Sequence, residues 1–388
     1  MRNLRHLYFL LKVASVCICL IFILPASCKE IDIGLVISSG LVTIGSNKDG
    51  TFVNLHNSKE VAMTKKMDAY ELHNANGLIS IMHKKTKTAI GAFTGPLLLK
   101  SNSENNLVCC DKKWYRGSLI ILTNGDKKNL TIVNKVNLED YLLSVVPSEI
   151  PFKWNREALK AQTIAARSYA LGYLGRRRSK GYDLESSVED QVYLGVESEK
   201  SPTSKAVKET KGLILFDKEN KPLIALYHSS GGGYTDSIEN LWDKPPCVHI
   251  KPKPDYDDNS PHFKWYRNYN LLEVSKLLKE LNLGNVTSIN VKSRSVSNRI
   301  MWINIVGVGG SKEIRGEEFR RYLKLPSSKF NFIIEGTQIK FAGRGYGHGL
   351  GLSQWGTKAL AEHGFSYKQI LAHYYPDTKL VNIIEGEQ

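Results

Sequence analysis

"NLEDYLLSVVPSEIPFKWNREALKAQTIAARSYALGYLGRRR" runs from Asn137 to Arg178. The text before it reads as strand, and here the apolar spacing becomes that of a helix. Two helical patterns are split by Pro147 and Pro151. The second opens near Asn155, a residue type suited to an N-cap. It carries Ala158, Leu159, Ala165, Ala166, Ala170, Leu171 and Leu174 on one broad stripe. It closes on a basic turn that suits the helix dipole. So many alanines predict close packing against a neighbour.

Upstream, from Ile31 to about Leu99, IDIGLVI, LVTIG, GLISIMH and GPLLLK alternate or cluster apolar residues between turn residues. GSLIILTN and LTIVNKV continue that pattern. Downstream, KPLIALYHSS (Lys221–Ser230) reads as a buried strand running into Gly231-Gly232-Gly233. A Pro- and charge-rich loop, KPPCVHIKPKPDYDDNSP, follows. Then come an amphipathic helix, LLEVSKLLKELNL, and two strands, VTSINVKS and RIMWINIVGV. A short helix ends at Gly364. Another starts at Ser366 with a Ser366/Gln369 capping box and stops at Pro376. No repeat of solenoid period is present. The sum is an α+β fold of mostly antiparallel strands and grouped helices, with a β-rich N-terminal region.

The chain has 388 residues and a net charge of +15. That favours polyanions as partners: nucleic acid, anionic lipid or an acidic wall polymer. Arg2, Arg5, His6 and Lys12 precede the apolar run Val13–Leu24, and Pro25-Ala26-Ser27-Cys28 follows. This is the layout of a secretory signal. Ser27-Cys28 also suits a lipoprotein site, and counting from Leu7 allows an uncleaved membrane anchor. Each places the protein outside the cytoplasm, which argues against nucleic acid. Beyond this segment only Cys109, Cys110 and Cys247 remain. Their spacing indicates neither a disulfide framework nor a zinc site.

RGYGHGLGLSQWG (Arg344–Gly356) belongs to a stretch with glycine at 343, 345, 347, 349 and 351. Neither phosphate-loop spacing fits it. In an extended chain, alternate residues share a face. One face is then bare backbone, while Arg344, Tyr346, His348, Leu350 and Leu352 take the other. The bare face suits either a tightly packed or bent strand or a groove floor that meets substrate.

Glu149 lies between Pro147 and Pro151, on what reads as a rigid, non-helical hinge. Burial there would raise its pKa, as a general acid requires, although a capping or salt-bridged Glu fits too. Arg167 interrupts an apolar helix and needs a partner unless it is exposed. Helix from Arg156 carries Arg167 roughly 16 Å along the axis. The seven residues from Glu149 to Arg156 reach up to roughly 24 Å, so the two can meet if the Pro151 segment folds back. His228 and Ser229 point to opposite faces of a strand, so a Ser–His nucleophile is disfavoured. A polar loop lining a site fits better.

Together, Asn137–Leu171, "YHSSGGGYT" and "GYGHGLGLSQWGTKALAEHG…YKQILAHYYPDTKL" resemble the stage II sporulation protein D family of peptidoglycan lytic transglycosylases, whose domain is shared by amidase-enhancer proteins. The resemblance spans roughly Lys113 to Leu380. It implies three regions: 1–28 a signal or anchor, 29–112 a β-rich region, and 113–388 a catalytic domain around a substrate groove. It implies Glu149 as the catalytic acid. It assigns substrate contacts to Arg167, Gln191, Tyr193, Ser229, Ser230, Gly231, Gly232, Tyr234, His348, Gly349, Ser353 and Gln354.

Some relatives carry Cys and His just before their Q-V-Y and bind zinc nearby. Here that stretch is Ser186-Ser187-Val188-Glu189-Asp190 before Gln191-Val192-Tyr193, so neither metal nor cofactor is expected. The implied reaction breaks the bond between N-acetylmuramic acid and N-acetylglucosamine with one Glu, giving 1,6-anhydro ends. The implied partners are glycan strands and a cell-wall amidase. The alternative is a non-catalytic glycan-binding protein that activates or recruits that amidase.

Overall fold

The computed structural model describes residues 29–101, 103 and 106–384. The signal or anchor reading lies outside them. The α+β reading holds, with antiparallel sheets, grouped helices and a β-rich N-terminal region.

Two sheets form that region. In the larger, Leu130–Asn137 lies between Glu30–Ser39 and Ser118–Thr123, antiparallel to both. Leu97–Ser101, Gly50–Asn54 and Glu60–Thr64 extend the sheet. The second contains Leu41–Ser46, Ala69–Ala75, Leu78–His83 and Ala89–Thr94, with the hairpin Leu107–Cys110/Lys113–Arg116 at its other edge. Alternate residues point inward, so Ile31, Ile33, Ile44, Phe52, Leu72, Leu99 and Ile121 share one buried core. Each such side chain contributes about 1.5–3 kcal/mol. The expected boundary after residue 112 cuts through the hairpin. Leu130–Asn137 is also an inner strand of the larger sheet, so the β-rich unit continues to Asn137.

Asn137 ends that strand and caps helix α1 (Leu138–Glu149), its side chain accepting from Glu139 N at 2.9 Å. The sequence expectation of a break at Pro147 fails, because α1 runs through it. Pro147 sits in the last turn, where one backbone bond is lost at modest cost. Ser148 Oγ reaches back to Ser144 O at 2.7 Å and Ile150 N to Val146 O at 3.1 Å. The stop is Ile150, extended at φ −135°, ψ 152° because Pro151 follows it.

Helix α2 (Arg156–Gly172) starts at Asn155, the expected N-cap. Ala158, Ala161, Ile164 and Ala165 pack against Leu215, Leu223, Ala225, Leu352 and Ile370. Leu159, Ala166 and Ala170 join the core that holds Leu138, Leu142 and Val145 of α1. The alanines admit neighbours on both sides, which accounts for their number. The basic run does not end the helix. Arg176 and Arg177 lie beyond it and bind Asp190.

Arg167 is fully buried within α2, and its partner is Glu139 rather than Glu149. Nε donates to Oε1 at 2.9 Å and Nη2 to Oε2 at 2.8 Å. Nη1 donates to Leu213 O at 3.1 Å.

Residues 264–344 fold around a second core. Two three-stranded antiparallel sheets, Lys264–Asn270/Gln338–Arg344/Phe330–Glu335 and Val286–Arg294/Ile300–Gly307/Gly310–Arg315, enclose Trp265, Ile303, Phe319, Phe330 and Phe341. Among the described residues no helix is long and apolar enough to cross a membrane.

Removing one member of a buried ion pair strands the other. Glu139→Ala is therefore expected to cost about 3–5 kcal/mol in urea unfolding, and a Glu139→Leu/Arg167→Met double variant to regain most of it.

Candidate active site

Helix α1 delivers Glu149 at its last turn, not on the non-helical hinge expected from the two prolines. Glu149 Oε1 accepts Val192 N–H at 2.9 Å, and the Tyr227 hydroxyl also bonds to the carboxyl. Burial pushes the pKa up to about 7, and the two hydrogen bonds pull it the other way. A carboxyl with this pKa can hold a proton near neutrality and can also take one back.

Tyr227 was not foreseen, and its geometry explains Gln191. The Gln191 amide is fully buried: Tyr141 Oη donates to its Oε1 at 3.2 Å. Its Nε2 donates to Ala166 O at 3.2 Å and to Tyr227 Oη at 2.9 Å. The Tyr227 oxygen thus accepts from Gln191, which leaves its own proton for Glu149. Gln191 acts on the carboxyl through Tyr227 rather than on substrate. Tyr193 is likewise interior: its ring packs between Tyr115 and Tyr141, and its hydroxyl donates to Asn134 Oδ1 at 2.9 Å. Arg167 faces Glu139 and is closed to substrate.

The glycine stretch is not a strand. Regular pairing stops at Arg344, and Gly345, Gly347, Gly349 and Gly351 have φ of 80°, 102°, 82° and 68°. That left-handed region favours glycine. The bare positions are filled by the protein itself. A Cβ at Gly345 would stand 2.7 Å from Ser230 O, and one at Gly351 2.0 Å from Leu226 O. At Gly349 it would stand 2.3 Å from Arg299 Nε. Close packing against Leu226–Gly232 and Arg299 favours the tightly packed reading of these glycines over the groove floor.

His348 rises from this loop between His228 and Trp242, with ring centroids 5.5 and 5.6 Å away. Its Nδ1 accepts Leu350 N–H at 3.0 Å, so the proton sits on Nε2. The ring also bonds to the Tyr227 backbone, and burial lowers its pKa to about 4. His348 therefore stays neutral and holds the segment that carries Tyr227.

The Ser-Ser-Gly-Gly-Gly loop wraps carboxylates of its own chain. Ser230 Oγ donates to Asp257. Gly231 N donates to Asp255 Oδ2 at 3.0 Å, and Gly232 N and Gly233 N to Asp257, each at 2.8 Å. Ser353 and Tyr374 hold Asp255, whose pKa burial and Asp257 push up to about 7. Ser230, Gly231, Gly232 and Ser353 therefore build an internal cradle rather than contact substrate. Asp255 and Asp257 were missed, though both stood in the Pro- and charge-rich loop. Tyr234 pairs with Pro254 beside this cradle, and Gln354 is buried at the start of the following helix.

Two aromatic residues are more accessible. The turn after Glu149 places Trp154 against Trp355, ring centroids 5.2 Å apart, both partly exposed. Trp355 N–H donates to Ser229 O at 3.0 Å, which anchors the pair beside the segment that bears Tyr227. Asp190, in the stretch where zinc was not expected, binds Arg176 and Arg177.

Residues 126–216 match the family described as Stage II sporulation protein, and 238–351 match a domain of unknown function. The chain is 31% identical over 258 residues to Stage II sporulation protein D of Bacillus amyloliquefaciens, covering 63% of this chain and 74% of that one. Against Stage II sporulation protein D of Bacillus subtilis the identity is 28%, over 64% of this chain and 75% of that one. Against the Amidase enhancer of Bacillus subtilis it is 29%, over 72% of this chain and 46% of the longer relative. The chain belongs to the stage II sporulation protein D family.

Two stability predictions follow from the site. The folded pKa of Glu149, about 7, lies above the ordinary value of 4.5 for a solvated glutamate, so folding favours the protonated form. The carboxyl costs nothing below the unfolded pKa and an increasing amount as pH rises toward 7, up to roughly 3 kcal/mol. Glu149→Gln should therefore raise the unfolding midpoint at pH 8 and leave it unchanged at pH 4. Gly349→Ala combines a left-handed backbone with the Arg299 contact, and urea unfolding should show a loss of about 1–3 kcal/mol or more.

Proposed function

We propose that this member of the stage II sporulation protein D family is an exported lytic transglycosylase of peptidoglycan. It would cut between N-acetylmuramic acid and N-acetylglucosamine in strands stripped of their peptides, with Glu149 as the acid and base. The observation that carries this reading is a largely buried carboxyl with a pKa of about 7, addressed by two donors, at the end of a helix whose following turn carries the partly exposed Trp154–Trp355 pair.

One carboxyl suffices for the chemistry. Most glycosidases need a second carboxylate as nucleophile or base. Here the muramic acid's own C6 hydroxyl takes that part. Protonated Glu149 gives its proton to the glycosidic oxygen as the bond from C1 breaks. The C6 oxygen then bonds to C1, and its proton passes to the Glu149 carboxylate. The products are a free glucosamine end and a 1,6-anhydro end, and the acid is restored. Val192 N–H and the Tyr227 hydroxyl stabilise the carboxylate between the two steps. Trp154 and Trp355 supply ring faces on which sugars stack.

The Amidase enhancer relative supports a second reading: a glycan-binding protein that stimulates an amidase without cutting glycan. Mass spectrometry of denuded glycan digested by the protein separates the two. The enzyme reading expects anhydro ends, a loss of about 10²–10⁴-fold in Glu149→Gln, and kcat/KM falling as pH rises above about 7. Hydrated ends exclude the internal nucleophile. Intact glycan, with amidase stimulation preserved in Glu149→Gln, supports the second reading.

A further inference from the structure

Positive charge is concentrated in residues 264–344, which hold fifteen Lys and Arg against six Glu and no Asp. That leaves an excess of nine in a chain whose total excess is fifteen. One sheet of this unit, Lys264–Asn270/Gln338–Arg344/Phe330–Glu335, buries only one of its faces. The pairing places Lys264 opposite Arg344, Tyr266 opposite Ala342, and Asn268 opposite Lys340 on the other face. All six are exposed, Tyr266 at 69%. Ile333, opposite Lys340 on the third strand, is 54% exposed.

The same run of chain leads toward the candidate active site. Lys340, Ala342 and Arg344 lie on the open face. Tyr346, 48% exposed, packs against His262 just beyond it, with ring centroids 4.9 Å apart and planes tilted by 44°. His348 then holds the backbone of Tyr227, whose hydroxyl meets Glu149. An extended run from Lys340 to His348 spans at most about 26 Å.

We propose that this open sheet face, together with the rim formed by Tyr346 and His262, is an accessory surface for a carboxylated glycan strand. It would seat the sugars that continue beyond the bond addressed by Glu149. The proposal rests on the glycan reading above but not on cleavage. Lys264, Lys340 and Arg344 match the carboxylate that each muramoyl residue exposes once its peptide is gone, and such charge-assisted bonds weaken with salt. Tyr266 and Tyr346 match the apolar faces of the sugars.

The test uses the full chain carrying Glu149→Gln, so that strands are bound and not consumed. Long denuded strands are titrated against this protein and against the same protein with Lys264→Glu, Tyr266→Ala and Lys340→Glu. Binding at least tenfold weaker in the multiple variant, with equal thermal midpoints, is the expected result. In the parent, affinity should fall as salt rises. With Glu149 intact, the three surface changes should leave cleavage of a short tetrasaccharide at its original rate. If no glycan is cut at all, the enzyme reading fails while the binding difference still supports the surface. Equal binding by both proteins overturns the proposal. So does undiminished binding of strands whose carboxylates have been reduced to alcohols.

Discussion

The pair between Arg167 and Glu139 ties the first turn of α1 to the middle of α2. Glu149 lies ten residues further along the same rigid helix, about 15 Å away. A two-point guanidinium–carboxylate contact fixes direction as well as position. The pair thereby sets the axis along which the candidate acid is delivered to Val192 and Tyr227. Its net contribution to stability is small, because both charges leave water. Its value lies in excluding other orientations of α1. Thr210, Val207 and Leu213 supply the remaining acceptors, so the buried guanidinium has a partner on each side.

A second buried charge fastens the basic unit to the rest. Arg299 belongs to residues 264–344, yet its donors reach Gly347 O at 3.3 Å and Gly231 O at 3.1 Å. Lys329 of the same unit donates to Gly232 O at 2.8 Å. Burial lowers the pKa of both cations, and the carboxylates of Asp236 and Asp257 oppose that. The glycines let two loops approach closely enough for these contacts. Side chains at 345, 349 and 351 would hold them apart. The glycine stretch is thus a hinge-free seam. It couples the unit with the open basic face to the segment that carries Tyr227.

Local signals in the sequence were read correctly. Asn155 caps its helix, Ser366 and Gln369 form their box, and alternation locates the N-terminal strands. Glu149 was legible as a carboxyl whose setting raises its pKa, although its helix was not. The misreadings concern partners distant in the chain. Arg167 had the nearby Glu149 as its plausible mate, but Glu139 on the facing helix takes it. Tyr227 was hidden inside a strand pattern, because only folding shows that Gln191 takes its oxygen and frees its proton. Alternate glycines suggested an extended chain. Period alone cannot distinguish a bare face from a run of left-handed turns, since both repeat every second residue.

These points bear on how an acid of this kind arises. No cation contributes to the shift of Glu149, although Lys153 and Arg156 follow it closely in sequence, and its pKa is set mainly by exclusion of water. That exclusion requires three separate segments: the end of α1, the Gln191–Val192 turn and the strand with Tyr227. Each is immobilised by contacts made elsewhere, through Arg167, through Tyr141 and through His348. Most residues that the resemblance assigned to substrate therefore act one layer back. They hold the groups that would meet substrate, and their chemistry is directed inward. A site built this way tolerates little change in residues that never touch a ligand. Its acidity is a property of the packing rather than of any single pair.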